Sequence, residues 1–374
     1  MPELGIGIVG TGFMARVHAL SIAMVAHMWE LPVVPKLIAY CGRADAVASA
    51  LPRWPEFADA QPVNGLDGLL DRSDVALCLI CTSNAAHASA SIAALRAGRH
   101  VLCEKPLASN PDDSLQMARY AALATGQAAV GFNYRRVPAV ELARQMIIAG
   151  DIGIPQHFSG AYLQDWGLIP GAATGWRDDP LDAGPAGILA DTGSHLIDLA
   201  QHLMGSRVAA VAALAQAPRT TARDCDGLGA PAAASLLLRF IDGNSGNLEL
   251  SRVASGHRNG LRLEVRGSEG ALRFSFERMN ELELSAPSRR GETWRCIYVT
   301  ERDHPWQSAR WPPGHPLSWE HTLAHQVSDL IHAIASGTRF RPNFQDGCSV
   351  DLTIHAAARA VQTESWQAVD EPMI

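Results

Sequence analysis

The stretch GIVGTGFMA, residues 7–15, decides how the beginning of the chain folds. Its G-x-G-x-x-A pattern occurs where a strand turns tightly into a helix and, in many proteins, where that turn holds a dinucleotide. The apolar run LGIGIV (4–9) precedes the turn and predicts a buried strand, and the pattern from Phe13 to about His27 predicts a helix. These flanks suit both a nucleotide cradle and a plain strand–helix turn.

The rest of the first third of the chain repeats this alternation of strand and helix. Short apolar runs at 36–41, 75–82, 100–106 and 127–133 are separated by patterns typical of helices. Buried strands that alternate with helices form a parallel, doubly wound sheet, which binds ligands at the carboxyl ends of its strands. This context favours the cradle, in which backbone N–H groups hold a pyrophosphate at the helix N-terminus. The residues predicted to do so are Gly10, Thr11, Gly12, Phe13 and Met14.

The end of the second strand leaves the choice of dinucleotide open. An Asp or Glu at this place usually binds the adenosine ribose of NAD, but here the strand ends YCGRADA, with Gly42 and Arg43 in that position. Arg43 suits a 2′-phosphate or the adenine ring, which favours NADP. A solvated loop arginine, or a ribose contact from Asp45, is equally compatible with NAD. The predicted cofactor is therefore NAD or NADP, undecided.

The pattern changes after Gly153. Runs such as VAAVAALAQ (208–216), AAASLLLRFI (232–241) and GLRLEVRG (260–267) read as strands, several with polar–apolar alternation, and turn residues such as DGN and GSEG separate them. This predicts an open, mostly antiparallel sheet with one covered face. The sequence thus predicts an α/β protein with a dinucleotide-binding Rossmann domain and a second α/β domain for substrate binding and oligomerisation. The predicted domains are 1–132 and 133–374, and the open sheet face is expected to form a homodimer or homotetramer.

Composition excludes several classes of function. The 374 residues carry a formal net charge of −7, whereas nucleic-acid and anionic-membrane partners need a basic face. No apolar run approaches the roughly 20 residues that span a bilayer, and no basic stretch typical of a signal peptide precedes the first strand. The seven cysteines contain no C-x-x-C pair and are interpreted as free thiols, with Cys78 and Cys103 in the core. We therefore expect a cytoplasmic protein with no nucleic-acid or membrane partner.

Three segments together resemble a known family. They are GIVGTGFMARVHA, CTSNAAHASASIAALRAGRHVLCEKPLA and AGILADTGSHLIDLAQHLMG. From about residue 4 to the C-terminus the chain is similar to the Gfo/Idh/MocA oxidoreductases, the relatives of glucose–fructose oxidoreductase and inositol dehydrogenase. The E-K-P signature at 104–106 and the D-x-x-x-H spacing of Asp191 and His195 are together highly specific for it. FNYRRVPAVELA and GAYLQDW further resemble the branch that contains levoglucosan dehydrogenase.

The resemblance implies NAD(P)-dependent hydride transfer between nicotinamide and a secondary hydroxyl of a sugar, anhydrosugar or inositol. Such a reaction needs a base for the hydroxyl proton and a group that stabilises the developing charge. Lys105, just past the carboxyl end of a strand, suits polarisation of the substrate oxygen and a contact with the nicotinamide ribose. Asp191 and His195 are one helical turn apart, so the carboxylate can orient the imidazole as the general base. The structural alternatives are a loop lysine, a helix-capping Asp191 and a packed His195.

Further binding residues complete the predicted site. Thr82, Ser83 and Asn84 stand where the family often has T-P-N, which loses the proline but keeps polar groups for the nicotinamide side. Cofactor contacts are also predicted for His87, Glu104, Lys105 and Asn133, with a packed helix histidine as the alternative for His87. Aromatic faces with polar neighbours suit a carbohydrate or cyclitol, whose C–H face is apolar. The predicted substrate-binding residues are Lys105, Tyr134, Gln164, Trp176, Asp191 and His195.

Other functions fit the sequence less well. A zinc enzyme is disfavoured because the H-E-x-x-H spacing and paired cysteines are absent, and no metal is predicted. A sugar-sensing regulator that binds NAD(P) without turnover is an alternative, although such a protein would usually have lost Lys105 or His195. An imine or biliverdin-type reductase on the same scaffold is another, and its site would not need the Asp–His pair.

Overall fold

The computed structural model describes residues 1–45, 47, 55–169, 184, 186–216, 231–286, 293–307 and 312–370. They divide into two compact units. Unit 1 comprises Met1–Arg136 and Ser318–Cys348, and unit 2 comprises Val137–Leu317 and Ser349–Glu371, within the described residues. The domain division at 132/133 stays a prediction.

Unit 1 contains a six-stranded, all-parallel sheet in the order β3-β2-β1-β4-β5-β6. The order reverses direction between β1 and β4, which is the switch point where doubly wound sheets bind ligands. The predicted Rossmann sheet is confirmed, and the two-residue β3 is a strand that the sequence did not indicate. The strands are β1 Glu3–Val9, β2 Val34–Cys41, β3 Gln61–Pro62, β4 Leu77–Ile80, β5 His100–Cys103 and β6 Ala128–Val130.

Five helices described in unit 1 accompany this sheet, and a further helix begins there. The five are α1 Phe13–Met28, α2 Gly65–Leu70, α3 His87–Arg96, α4 Pro111–Leu123 and α8 Trp319–Ser336. The further helix is α9 Phe344–Thr363, and the boundary between the two units falls within it. Their ends follow the expected chemistry: α4 begins at Asn110, whose side chain accepts from the N–H of Asp113, and α8 ends at Gly337 with φ +71°.

Helix α8 packs in unit 1, although it is distant from the other helices of that unit in sequence. Its residues Val327, Leu330 and Ile331 belong to the same buried cluster as Ile6 and Ile8 of β1. Each of these side chains is at most 1% exposed. A late helix therefore completes the core beneath the first strand, which periodicity alone does not reveal because it shows an apolar face and not its partner.

Unit 2 contains a nine-stranded sheet in the order β14-β13-β12-β11-β7-β10-β9-β8-β15. All neighbours are antiparallel except β7 and β10, so the predicted mostly antiparallel sheet is confirmed. The strands are β7 Pro155–Leu163, β8 Val208–Gln216, β9 Ala233–Phe240, β10 Ser245–Ser251, β11 Gly260–Gly267, β12 Ala271–Ser275, β13 Glu281–Ala286, β14 Thr293–Tyr298 and β15 Gln367–Ala368.

Helices cover one face of this sheet. They include α5 Pro138–Ala149, α6 Ile188–Asp191 and α7 Gly193–Met204. Helix α7 lies close to β7 and β10 because small residues permit it: a Cβ at Gly193 would be 3.0 Å from Cδ1 of Leu250, and one at Gly160 would be 3.1 Å from Cδ2 of Leu196. The sheet thereby fixes the position of the helix that carries His195.

Candidate active site

Two glycines of the turn after β1 have different structural requirements. Gly10 has φ +113°, and a Cβ there would lie 2.3 Å from the carbonyl oxygen of Cys81. The turn therefore needs glycine at this position whether or not it binds a ligand. Gly12 has φ −81°, and a Cβ there would meet nothing within 4 Å. Neither conformation nor packing demands glycine at position 12, so the open space above it fits a ligand that approaches the backbone closely.

The N-terminus of α1 suits an anion. Gly12 has no side chain with which to cap the helix, and the first turn carries no acidic residue. The first N–H groups of a helix lack intrahelical acceptors and, with the helix dipole, attract a negative group. Phe13 is 61% exposed and stacks on Trp319, with ring centroids 5.8 Å apart. The turn and its helix thus fit the pyrophosphate of a dinucleotide.

The loop after β2 places a cation and a carboxylate side by side. A Cβ at Gly42 would lie 3.4 Å from Cγ2 of Thr11, so this loop lies beside the glycine turn. The Arg43 side chain is 84% exposed, and its Nε lies 3.5 Å from Oδ1 of Asp45. Exposed ion pairs of this kind contribute about 0–1 kcal/mol to stability, so either side chain can leave the pair to bind a ligand. The loop therefore favours neither NAD nor NADP.

The polar residues after β4 directly follow Cys81, whose carbonyl oxygen would lie 2.3 Å from a Cβ at Gly10. They therefore lie next to the glycine turn. The hydroxyl of Thr82 donates to the carbonyl of Ser83 at 3.2 Å. Asn84 is buried and begins the short turn that leads into α3. The predicted contacts of these three residues with a cofactor stay predictions, but their strand end is the one that borders the cradle.

His87 connects the loop after β4 to the loop after β5. Its buried ring has Nδ1 2.9 Å from the carbonyl oxygen of Pro106 and Nε2 3.3 Å from that of Thr82. Burial lowers the pKa of His87, against the opposing effects of these carbonyl groups and of Glu104. A neutral imidazole donates one N–H, and the shorter distance assigns that bond to Pro106. Its predicted cofactor contact stays a prediction.

A buried, hydrogen-bonded carboxylate underlies Lys105. The side chain of Glu104 accepts from Nε2 of His18 at 2.7 Å through Oε1 and from the backbone N–H of Lys105 at 3.3 Å through Oε2. Burial alone would raise the pKa of Glu104, but the hydrogen bond and charge of His18 and the charge of Lys105 outweigh it and lower that pKa. The sequence interpretation missed His18. Its signal is a histidine between the buried Val17 and Ala19 on the apolar side of α1.

The segment after β6 packs within unit 1. The Asn133 side chain donates to Oγ1 of Thr322 at 2.7 Å, and both residues are buried. Tyr134 is 5% exposed. The contacts predicted for Asn133 with the cofactor and for Tyr134 with the substrate stay predictions.

The D-x-x-x-H residues lie at the junction of two helices of unit 2. Asp191 ends α6, and His195 lies in the first turn of α7. Thr192 between them has φ −96° and ψ −31°, so the chain stays near helical and the two residues remain about one turn apart. His195 is buried, and its ring centroid lies 6.1 Å from that of Tyr162.

Arg252, directly after β10, is a buried partner of Asp191. Its side chain is 2% exposed, its Nη2 lies 3.5 Å from Oδ2 of Asp191, and its guanidinium lies 5.2 Å from the ring centroid of Trp166. A buried cation needs a countercharge, and a carboxylate beside it is held in place. The sequence did not single out Arg252, because an isolated arginine after a strand has no distinctive pattern.

Gln164 belongs to a polar network at the end of β7. Its side-chain amide donates to Oδ1 of Asn259 at 2.9 Å, and its oxygen accepts from Nε1 of Trp166 at 2.9 Å. The hydroxyl of Tyr162 donates to the same Asn259 oxygen at 2.7 Å. Aromatic rings with fixed amides beside them suit a carbohydrate. Tyr162 and Asn259 were not among the predicted binding residues.

Trp176, the remaining predicted substrate residue, lies outside the described residues. Within the described ranges no group of three or more His, Cys, Asp and Glu side chains could hold a metal ion. In the same part of the chain, no helix is long and apolar enough to cross a bilayer.

The fold and the site together define a class of protein. One unit is a Rossmann unit suited to a dinucleotide, and the other has a large mixed sheet with Asp191 and His195 on helices α6 and α7. Comparison with known proteins agrees. Residues 4–132 match the oxidoreductase family with an NAD-binding Rossmann fold, and residues 140–273 match the GFO/IDH/MocA C-terminal domain. The chain belongs to the Gfo/Idh/MocA oxidoreductase family.

Several relatives are similar over their whole length. Levoglucosan dehydrogenase of Pseudarthrobacter phenanthrenivorans is 34% identical over 400 residues, covering 100% of both chains. The structure of an oxidoreductase domain protein from Kribbella flavida is 38% identical with a TM-score of 0.92, covering 99% of this chain and 100% of the other. Levoglucosan dehydrogenase in complex with NADH and levoglucosan is 32% identical with a TM-score of 0.92 and the same coverage.

These findings confirm the predicted family, the fold class and the assignment as an NAD(P)-dependent oxidoreductase. The chain is an oxidoreductase, and several of its relatives are named dehydrogenases. Neither a regulator without turnover nor an imine-type reductase is favoured.

Proposed function

We propose that the protein oxidises a secondary hydroxyl of an anhydrosugar or a related sugar or inositol, or catalyses the reverse reduction. The full-length likeness to levoglucosan dehydrogenase supports this substrate class. The polar and aromatic network around Gln164 and Trp166 supports it independently, because it offers both a ring face and fixed hydrogen-bonding groups.

Residues of unit 1 would hold the cofactor and the substrate oxygen. The N–H groups at the start of α1, reached over the open space at Gly12, would bind the pyrophosphate. When bound, the nicotinamide supplies the acceptor or donor of the hydride. The ammonium of Lys105 would donate a hydrogen bond to the substrate oxygen and stabilise its negative charge during the reaction.

Residues of unit 2 would manage the proton. The His195 imidazole would accept the proton of the hydroxyl during oxidation and return it during reduction. Asp191 would orient that imidazole and stabilise its cationic form. The buried guanidinium of Arg252 supports this role because it holds the Asp191 carboxylate in place.

One observation carries the proposal: Gly12 is glycine where neither backbone nor packing requires it, on the same sheet edge as Lys105. A turn with a purely structural role would need glycine only at position 10. The free space and the lysine together are what a dinucleotide-dependent dehydrogenase needs at that edge.

Steady-state kinetics of active-site variants test the proposal. The purified protein is screened with NAD and NADP against levoglucosan, inositols and aldoses, and the best pair is used for Lys105→Ala and His195→Ala. We expect each variant to lose about 10²–10⁴-fold in kcat/KM, the range for removal of a catalytic group.

Matched controls are available for both positions. The chain has two lysines, Lys36 and Lys105, so Lys36→Ala, which removes an exposed side chain from strand β2, controls for loss of an ammonium. His202→Asn controls for loss of a histidine from α7. Near-normal turnover in both Lys105→Ala and His195→Ala would overturn the proposed mechanism. Tight NADH binding without turnover on any polyol would instead indicate a sensor.

We also propose that the open face of the sheet in unit 2 joins subunits into a homodimer or homotetramer. Leu214 and Leu237, on neighbouring strands β8 and β9, are 67% and 54% exposed. Beside them a shallow groove is lined by charged residues of both signs, including Glu249, Arg262 and Arg273. A surface that combines apolar and opposite charges can pair with a second copy of itself.

A cytoplasmic location is part of the proposal. Its support is that the cysteines of the described residues are free thiols and that most of them are buried. Burial raises the pKa of Cys78 to about 12, so this thiol stays protonated and unreactive. Fractionation of cells that express the protein, followed by immunodetection, tests the location.

A further inference from the structure

A buried hydrogen bond between His18 of α1 and Glu104 of the E-K-P segment links the pyrophosphate helix to Lys105. His18 lies on α1, the helix whose N-terminus follows Gly12. Its Nε2 lies 2.7 Å from Oε1 of Glu104, and Oε2 of the same carboxylate accepts from the backbone N–H of Lys105 at 3.3 Å. One carboxylate therefore bridges an imidazole and the backbone of the proposed catalytic lysine.

The bridge is tightly enclosed. The side chains of His18 and Glu104 are 2% and 9% exposed. A Cβ at Gly131 would lie 3.1 Å from each oxygen of Glu104, so the carboxylate lies directly against the backbone after β6. The backbone N–H of Glu104 donates to the carbonyl of Ile80 at 3.0 Å. The carboxylate thus has little freedom to take another position.

A second contact holds the other side of the lysine. The buried ring of His87 lies 2.9 Å from the carbonyl oxygen of Pro106, the residue after Lys105. Lys105 is thus fixed on its N-terminal side through Glu104 and on its C-terminal side through Pro106. Lys105 is itself half-buried.

Stability alone does not account for a buried pair of this kind. The cost of removing two charges from water commonly offsets their attraction, and apolar side chains of similar volume often stabilise a fold equally well. The surroundings of His18 on α1 are apolar, so such a replacement would be compatible with the core. A role in positioning Lys105 explains the buried pair better than its contribution to stability does.

We propose that His18 is a positioning residue for Lys105 and acts through the buried carboxylate of Glu104. The inference rests on the proposed function, since it presupposes that Lys105 serves the substrate oxygen. By fixing both oxygens of Glu104, His18 orients the peptide N–H of Lys105 and hence the direction in which the lysine side chain leaves the strand. Displacements of about 1 Å at a catalytic group can cost about 100-fold in rate, so this orientation matters.

Labelling of the two lysines gives a readout that does not depend on activity. Reductive methylation with ¹³C-formaldehyde labels Lys36, Lys105 and the N-terminal amine, and Lys36→Ala and Lys105→Ala assign the two lysine signals. These dimethylammonium signals are then compared by NMR in the wild type, His18→Leu and His18→Gln. We expect His18→Leu to shift or broaden the Lys105 signal while the Lys36 signal stays unchanged. His18→Gln keeps a donor for the carboxylate, so its Lys105 signal should lie nearer to that of the wild type.

Kinetics on unmodified protein provide the second readout. We expect His18→Leu to lower kcat at least tenfold while the Kd for NADH changes less than threefold, and His18→Gln to recover part of the loss. Because a lone buried carboxylate can prevent folding, the double variant His18→Leu/Glu104→Met removes both charges. It should melt within a few degrees of the wild type and still show the loss of kcat. Ser21→Ala is the control, since that buried hydroxyl donates to the carbonyl of Val17 on the same helix.

The outcomes separate this inference from the function on which it rests. If Lys105→Ala abolishes turnover but His18→Leu and the double variant keep kcat within twofold and leave the Lys105 signal in place, the positioning role is wrong and the function stands. If Lys105→Ala keeps turnover, the proposed role of Lys105 at the substrate oxygen is wrong, and the NMR comparison alone decides whether His18 orients the lysine.

Discussion

Alanine should have opposite effects at the two glycines of the first turn. At Gly10 the substitution forces an L residue into φ +113° and places Cβ 2.3 Å from the carbonyl oxygen of Cys81. At Gly12 the backbone has φ −81°, and the added methyl group meets nothing within 4 Å. We therefore expect Gly10→Ala to damage the fold and Gly12→Ala to damage cofactor binding.

The magnitudes follow from these geometries. The left-handed conformation costs about 1–2 kcal/mol for a residue with a side chain, and forcing a methyl group against backbone adds about 1–3 kcal/mol. Together these costs are about 2–5 kcal/mol, and at about 2–4 °C per kcal/mol Gly10→Ala should lower the melting temperature by about 4–20 °C. Gly12→Ala loses only part of a helix cap, about 0.5–1 kcal/mol, which lowers the melting temperature by about 1–4 °C. Its methyl group in the space proposed for the pyrophosphate should weaken NADH binding at least tenfold, or about 1.4 kcal/mol.

Two measurements on the same samples decide the matter. Thermal unfolding followed by circular dichroism gives the melting temperatures, and titration with NADH followed by fluorescence gives Kd. If Gly12→Ala binds NADH as the wild type does, the space above Gly12 is not the pyrophosphate site. If Gly10→Ala melts with the wild type, the steric argument for that turn is wrong.

Three further predictions address the cofactor, pH dependence and assembly. Arg43→Ala should weaken NADPH binding about fivefold more than NADH binding, because an exposed charge contributes about 1 kcal/mol; equal losses would show that Arg43 does not read the phosphate. The pKa of Glu104 is lowered in the folded state, so its contribution to stability is present above its unfolded pKa of about 4.3 and is lost below it. The stability difference between wild type and Glu104→Gln should therefore shrink as pH falls below about 4.3, and a constant difference from pH 5 down to pH 3 would contradict this. Leu237→Glu should shift the mass measured by light scattering towards the monomer, whereas an unchanged mass would exclude this face as the interface.

The sequence predicted what depends on local pattern. The strands of the first sheet other than β3 follow from short apolar runs. Strand β9 follows from strict alternation, which the structure shows as buried and exposed residues in turn. The glycine turn was predictable because its conformation demands glycine at position 10. Lys105 could be assigned to a strand end because a proline follows it and ends the apolar run.

Long-range partners could not be predicted in the same way. His18 and Glu104 are 86 positions apart, and Asp191 and Arg252 are 61 apart. Periodicity marks His18 as a residue on an apolar helix face, and nothing local indicates that a carboxylate lies opposite. The same limit explains why α8 could not be assigned to unit 1, since its apolar face has no sequence signal for β1 as its partner.

The two pairs that the sequence did not reveal, His18–Glu104 and Arg252–Asp191, are built in the same way. Their common arrangement indicates how the proposed catalytic groups are held in place. Each places a buried cation or imidazole on a carboxylate of a recognised motif: His18 on Glu104 beside Lys105, and Arg252 on Asp191 near His195. An exposed carboxylate would be free to rotate and would be screened by water, whereas a buried one with a fixed partner keeps its direction. Because such pairs add little net stability, a conservative change to both partners should alter the stability of the fold little. A change to one partner alone should still lower turnover. The residues that sequence patterns do not reveal are then the ones that hold the recognisable residues in place.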